Sequence, residues 1–100
     1  MTVTVLAMVT INEREGGALE RYLEVTAPLL EAANAVVTQM FSLNEAVVGH
    51  RPAKRVIMVE YPNREAVDRV FQSEEYKSLI PIRDRAFSSY DISIAEQIAA

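Results

Sequence analysis

Four segments of the chain alternate between apolar and other side chains, and this period of two is typical of β-strands. The segments cover residues 2–11, 35–43, 55–61 and 90–98. Residues 55–61 give the clearest pattern, because they are rich in β-branched side chains and are followed by Pro62, which has no backbone N–H for a sheet. The chain is therefore predicted to contain four strands.

The segments between these strands have features of helices. After the first strand, apolar and small residues recur at helical spacing. They are Leu19, Tyr22, Leu23, Thr26, Leu30 and Ala33. Pro28 lacks the backbone donor that a helix interior needs, so we expect a kink or a break near Thr26.

Asn63 and Ser73 are predicted N-caps of two more helices, because each side chain can accept from a first-turn amide and acidic residues follow it. Pro81 requires the last helix to bend or to restart.

The resulting order of elements is βαββααβ. With right-handed crossovers, this order predicts an α+β, ferredoxin-like fold, in which a four-stranded antiparallel sheet carries all helices on one face. The 100 residues contain no linker or repeat, so we expect one domain over 1–100.

The two faces of the predicted sheet differ in whether this chain can cover them. One face packs under the helices and presents Val3, Val5, Ala7, Val9, Ile57, Val59, Tyr61, Ile92 and Ile94. The other face presents Leu6, Met8, Met40, Val56 and Met58. An apolar patch of a few hundred Å² usually has a partner. We therefore predict a C2 homodimer in which two sheets face each other in a barrel-like core.

Composition removes several classes of function. The net charge of −4 and the lack of a Lys and Arg cluster argue against nucleic-acid binding. No apolar run approaches the ~20 residues that span a bilayer, and the first residues lack a basic leader, so a cytoplasmic protein is expected. With no cysteine and only His50 as imidazole, thiolate and two-histidine metal sites are excluded. We expect no metal and no cofactor.

One stretch of the sequence resembles a known family. The segments Arg55-Val-Ile-Met-Val-Glu-Tyr-Pro-Asn63, Ser73-x-x-Tyr76 and Ile82-Arg83 resemble the domain of unknown function 1330 family, which belongs to the dimeric α/β-barrel superfamily. The resemblance implies a ferredoxin-like fold and a dimer. Related barrels include cofactor-free oxygenases, isomerases and haem-degrading enzymes. Where relatives carry a Gly-Gly pair, this chain has Asn34, which we expect to supply a left-handed helix cap.

Two residues are candidate bases. Glu60 shares a strand face with Val56 and Met58, where it could be a general base or a ligand anchor with a raised pKa. The alternative is a strand-end carboxylate paired with an arginine across the dimer interface. His50 could be a haem ligand or a base, or simply a solvated loop histidine.

The remaining candidates are ligand-binding residues. Arg83 could capture an anionic substrate or pair with a carboxylate. Tyr22 and Tyr76 could stack on an aromatic ligand or belong to the core. On the uncovered face, Met8 and Met58 lie near polar groups such as Ser93 and could line a small cavity. Packing explains the methionines better than a copper site does.

These patterns favour a homodimer that binds a small organic molecule in a cavity between sheet and helices, with Glu60, Tyr76 and Arg83 as the leading candidates. A cofactor-independent monooxygenase or isomerase is the first alternative, with Glu60 or His50 removing a proton. A structural or regulatory dimer without a ligand is the second. Whether the protein is an enzyme stays open at this stage.

Overall fold

Four strands and four helices lie within residues 2–99, the part of the chain that the computed structural model describes. The elements are β1 (Val3–Ile11), α1 (Gly16–Ala32), β2 (Val36–Ser42), β3 (Arg55–Tyr61), α2 (Arg64–Phe71), α3 (Glu74–Ser78), α4 (Ile80–Ala86) and β4 (Phe87–Ala95). The strands form one antiparallel sheet in the order β2-β3-β1-β4. The predicted α+β, ferredoxin-like fold is confirmed.

The core lies on one face of the sheet. Val5, Val9, Val59 and Tyr61 point from the central strands towards the helices and are almost completely buried. The helices, and Leu79 between α3 and α4, complete the core; the helical residues are Ala18, Tyr22, Ala66, Val67, Val70, Tyr76 and Ala86. Alternation along β1 and β3 therefore places these four strand side chains under the helices, as predicted.

Helix α1 runs through Pro28 without interruption, so the predicted break does not occur. Proline frees the carbonyl of the residue four positions earlier, which is Glu24. Pro28 and Glu24 are both exposed, and water can therefore satisfy this carbonyl.

The end of α1 confirms the prediction for Asn34, whose φ of 57° lies in the left-handed region. The Ala35 N–H donates to the Leu30 carbonyl at 2.9 Å, and the Asn34 N–H donates to the Glu31 carbonyl at 3.0 Å. These two bonds form a Schellman motif, in which asparagine takes the position that glycine usually occupies.

Both predicted N-caps are present. The Ala66 N–H donates to Asn63 Oδ1 at 2.8 Å, and the Tyr76 N–H donates to Ser73 Oγ at 3.1 Å. The helical segment after Ser73 restarts, with α4 beginning at Ile80. Pro81 then stands in the first turn of α4, where a missing N–H costs no helical hydrogen bond.

Strand β4 covers Phe87–Ala95 rather than the predicted 90–98. Its bounds follow from β1. Phe87 pairs with Ile11 at one end of β1, after a register shift, and Ala95 pairs with Thr4 at the other end. Residues beyond 95 have almost no β1 left to pair with, because β1 begins at Val3.

The prediction that Met40 lies on the uncovered face is wrong. The pairing of β2 with β3 shifts between Val37 and Gln39, so that one extra residue enters β2. Such a bulge reverses the alternation that follows it. Met40 consequently pairs with Ile57 and lines the helix side of the sheet, while Phe41 takes the uncovered side.

The uncovered face remains apolar without Met40. Leu6 pairs with Met58 and Met8 pairs with Val56, and all four side chains are half-buried by their neighbours. Phe41 extends this patch into β2 with 49 % of its surface exposed. Among residues 2–99, no helix has the length and apolar character needed to cross a membrane.

Candidate functional site

A cavity of about 340 Å³ lies between the sheet and the helices. Its walls are mostly aliphatic and aromatic, and it opens beside Leu23 and Met40, which are both about half exposed. The lining residues are Val5, Ala7, Val9, Ile11, Leu19, Tyr22, Leu23, Thr26, Leu30, Val37, Met40, Arg55, Ile57, Val59, Tyr61, Val70, Phe71, Tyr76, Phe87, Tyr90 and Ile92.

Three tyrosine hydroxyls meet in the wall of this cavity. The Tyr22 hydroxyl lies 3.2 Å from that of Tyr76 and 2.5 Å from that of Tyr90, and the Tyr76 and Tyr90 hydroxyls are 2.6 Å apart. We call Tyr22, Tyr76 and Tyr90 the tyrosine cluster. Each hydroxyl has one proton and two lone pairs, so a closed ring of three bonds uses every proton and leaves lone pairs free. The cluster is the main polar feature of an apolar cavity.

Each tyrosine of the cluster is held by a different element. Tyr76 lies in the first turn of α3, where its N–H donates to the Ser73 hydroxyl, which in turn donates to the Val70 carbonyl at 2.7 Å. Tyr22 lies in α1, with its ring edge-to-face against Phe87 at a centroid distance of 5.2 Å. Tyr90 lies in β4 opposite Val9. The cluster therefore forms only when α1, α3 and β4 are packed together.

Burial keeps Tyr22, Tyr61 and Tyr90 protonated. It raises the pKa of Tyr22, and the proximity of Tyr90 and Tyr76 raises it further. Burial also raises the pKa of Tyr90, against an opposing effect of the hydrogen bond with Tyr22. Tyr61, on the neighbouring wall, has its pKa raised to about 12 by burial and by Tyr76. These hydroxyls are neutral hydrogen-bonding groups at physiological pH.

Arg83 stands against the tyrosine cluster. Its guanidinium carbon lies 5.1 Å from the ring centroid of Tyr90 and 5.9 Å from that of Tyr76, within the range of cation–π attraction. Burial lowers the pKa of Arg83, but contacts with Tyr76 and the carboxylate of Asp84, 3.4 Å away, outweigh this effect and raise it. A permanent positive charge thus lies beside the hydroxyls.

The structure separates the predicted site residues into two groups. Tyr22 and Tyr76 line the cavity, and Arg83 lies next to them. Glu60, Met8, Met58 and Ser93 lie on the opposite face of the sheet. His50 is exposed in the loop between β2 and β3.

Glu60 therefore does not share a cavity with Tyr76 and Arg83. In β3, successive side chains point to opposite faces, so Tyr61 enters the cavity while Glu60 faces away from it. Glu60 is exposed and lies opposite Thr4. A role for Glu60 in ligand binding would have to take place on the uncovered face.

Tyr90 and Arg55 are cavity residues that the sequence did not single out. Both stand on the helix side of the sheet, in the same alternating series as Ile92 and Ile57 respectively. The sequence indicated their role only in that each is a polar residue at a core-facing position of a strand. Their closeness to Tyr22 and Tyr76 depends on the packing of helices on the sheet, which a strand pattern does not contain.

A family model described as Domain of unknown function (DUF1330) matches residues 3–98. The chain belongs to this family. The resemblance stated from the sequence is thereby confirmed. None of the curated proteins is similar enough to match the chain.

Several solved structures have a fold similar to that of this chain. A protein of unknown function from Rhodopseudomonas palustris, RPA0582, has a TM-score of 0.80 at 15% identity, covering 99% of this chain and 84% of its own. At3g17210 from Arabidopsis thaliana has a TM-score of 0.67 at 9% identity, covering 98% and 97%. SnoaB, a cofactor-independent oxygenase from Streptomyces nogalater, has a TM-score of 0.63 at 11% identity, covering 99% and 95%. Likeness at such identities establishes a shared fold and no more.

Proposed function

We propose that the protein is a homodimer in which each protomer, a single domain, binds a small, largely apolar organic molecule between its sheet and its helices. The cavity is the observation that carries this proposal. Its volume of about 340 Å³ falls at the lower end of the range of ligand pockets, and its apolar walls with a few converging polar groups have their usual composition.

The tyrosine cluster supplies the polar contact for such a ligand. Because the ring of hydrogen bonds leaves lone pairs free, a ligand hydroxyl or N–H can donate to it without breaking a bond. The apolar walls then contribute by excluding water, at about 25 cal/mol per Å² of buried apolar surface.

Binding is better supported than an oxygenase or isomerase reaction. Such a reaction needs a base within about 3 Å of the proton to be removed. Within residues 2–99, the lining contains no Asp, Glu, His or Lys, and burial favours the neutral form of Tyr22 and Tyr90. The oxygenase named among the fold relatives shares the fold with this chain and little sequence.

A second copy of the chain is the proposed cover for the uncovered face of the sheet. Leu6, Met8, Val56, Met58 and Phe41 form a continuous apolar surface there, on the side away from the helices. Pairing of two such faces would be isologous, with the same residues contributed by each protomer.

Filling the cavity tests the binding proposal. N-phenyl-1-naphthylamine, a neutral apolar fluorophore, should bind the parent protein saturably with one molecule per protomer. Ala7 is small and lines the cavity, so Ala7→Phe should place a ring in the ligand's space and abolish binding. Ala27 is exposed on α1, and Ala27→Phe should leave the affinity unchanged. Equal binding to both variants would contradict the proposal.

A further inference from the structure

We infer that the ligand of this cavity is an apolar organic anion, such as an aromatic monocarboxylate, and that Arg55 binds its negative charge. This inference rests on the proposed function and adds the chemical class of the ligand. It concerns a residue that lies outside the tyrosine cluster, at the start of β3.

The charges around the cavity favour an anion. Arg55 carries the one formal charge in the lining described above, and the nearby Arg83 adds a second positive charge beside the tyrosine cluster. Both are positive in a chain whose net charge is −4. Asp84, the carboxylate beside Arg83, is exposed and engaged with Arg83. Arg55 is exposed at the start of β3, so it would attract an anion from the solvent-accessible part of the lining.

The sheet places Arg55 and Tyr90 on two sides of the same point on the cavity floor. Arg55 pairs with Val9 across β3 and β1, and Val9 pairs with Tyr90 across β1 and β4. The three residues form one cross-strand row on the helix side. Adjacent strands are about 4.8 Å apart, so the Cα atoms of Arg55 and Tyr90 are separated by roughly 10 Å. An anionic group above Val9 would lie between a guanidinium and a hydroxyl.

Arg55 has donors to offer. None of the ion pairs or side-chain hydrogen bonds within residues 2–99 involves it, whereas Arg21, Arg64 and Arg83 are each paired with a carboxylate. A guanidinium carries five N–H groups in a fork that matches the two oxygens of a carboxylate.

The tyrosine cluster can supply the remaining hydrogen bond. Turning one hydroxyl out of the ring breaks one bond of the cluster and aims a proton at the anion. Hydrogen bonds to charged groups are stronger than those between neutral groups, so this exchange is favourable for a carboxylate. The apolar part of the ligand would then lie along Ile57 and Val59.

Three probes that share one ring system and differ in charge test the inference by isothermal titration calorimetry. They are 2-naphthoate, 2-naphthamide and 2-naphthylmethylammonium. We expect 2-naphthoate to bind about tenfold or more tightly than 2-naphthamide, the difference that a charge-assisted contact provides. The ammonium probe should bind most weakly.

Substitutions of arginine locate the effect. Arg55→Gln should remove most of the preference for 2-naphthoate over 2-naphthamide. Arg55→Lys keeps the charge and should retain part of the preference. Arg85 is exposed on α4 and lies outside the lining. Arg85→Gln is therefore the matched control and should retain the full preference for 2-naphthoate over 2-naphthamide.

The outcomes distinguish this inference from the proposed function. Equal affinities for 2-naphthoate and 2-naphthamide in the parent protein would overturn the anion assignment while cavity binding stands. A full preference for 2-naphthoate in Arg55→Gln would overturn the role of Arg55. If neither these probes nor N-phenyl-1-naphthylamine bind, the proposed function fails as well.

Discussion

At the residue scale, the hydroxyl of Tyr22 shows how buried polar groups shape this cavity. A buried hydroxyl without a partner costs about 1–3 kcal/mol, so tyrosines in an apolar cavity are most stable when they bond to one another. Tyr22 meets both Tyr76 and Tyr90 in this way. Inward-facing positions for Tyr22 and Tyr76 could be predicted from helical spacing. The meeting of their hydroxyls could not, because it depends on the distance between separate elements.

Removing the Tyr22 hydroxyl tests the contribution of the cluster to stability. Tyr22→Phe deletes two of the three hydrogen bonds and keeps the ring, so we expect the free energy of unfolding to fall by about 1–2 kcal/mol in urea denaturation at neutral pH. Tyr61→Phe is the control, since no side-chain hydrogen bond within residues 2–99 involves Tyr61. Equal losses in the two variants would show that the cluster is not the source.

The raised pKa of Tyr61 predicts how the stability of the protein depends on pH. Its pKa is raised from 10.0 to about 12, so the unfolded chain loses this proton at a lower pH than the folded protein. Stability should therefore be fully present below pH 10 and fall as the pH rises towards about 12. The stability of Tyr61→Phe should fall less steeply than that of the parent protein over this interval, as measured by thermal unfolding in a pH series. An unchanged slope would contradict the burial of this phenol.

At the element scale, features decided by neighbouring residues were predictable and those decided by strand pairing were not. The caps at Asn63 and Ser73 and the left-handed Asn34 follow from local backbone chemistry, and all three are present. The side on which Met40 lies depends on a bulge in β2, which exists only relative to β3. For the same reason, the row that joins Arg55 to Tyr90 could not be seen without the register.

The left-handed turn after α1 gives a prediction at this scale. Asn34→Ala places a Cβ without a compensating polar group at a φ of 57°, and we expect a loss of about 1 kcal/mol in the free energy of unfolding. Asn34→Gly should be neutral or slightly stabilising, because glycine is the usual residue at this position of a Schellman motif. Chemical denaturation of both variants checks this, and a more stable Asn34→Ala would contradict the Schellman assignment.

At the scale of the whole molecule, one sheet separates two different environments. Helices and the cavity lie on one side, while Leu6, Met58 and their neighbours lie open on the other. The shortest dimension of the molecule is 16 Å, as expected of a sheet covered on one side. Alternation along the strands predicted both faces from the sequence. Alternation also placed Glu60 on the uncovered face with Val56 and Met58, so the grouping of Glu60 with Tyr76 and Arg83 in one site disregarded the alternation along β3.

A charge on the uncovered face tests the proposed homodimer. Met58 lies near the centre of this face, so Met58→Glu should convert a dimer to a monomer in sedimentation equilibrium, because burying an unpaired carboxylate is costly. Ala27→Glu, on the exposed side of α1, should leave the dimer intact. A parent protein that sediments as a monomer would contradict the dimer outright.

The most direct test of ligand binding is the position of a bound probe relative to two adjacent residues. Ile57 lines the cavity, whereas Met58 faces the other side of the sheet. With N-phenyl-1-naphthylamine bound, nuclear Overhauser effects should connect its rings to the methyl groups of Ile57 and not to the methyl group of Met58. Contacts to Met58 without contacts to Ile57 would place the ligand on the uncovered face and contradict the proposed site.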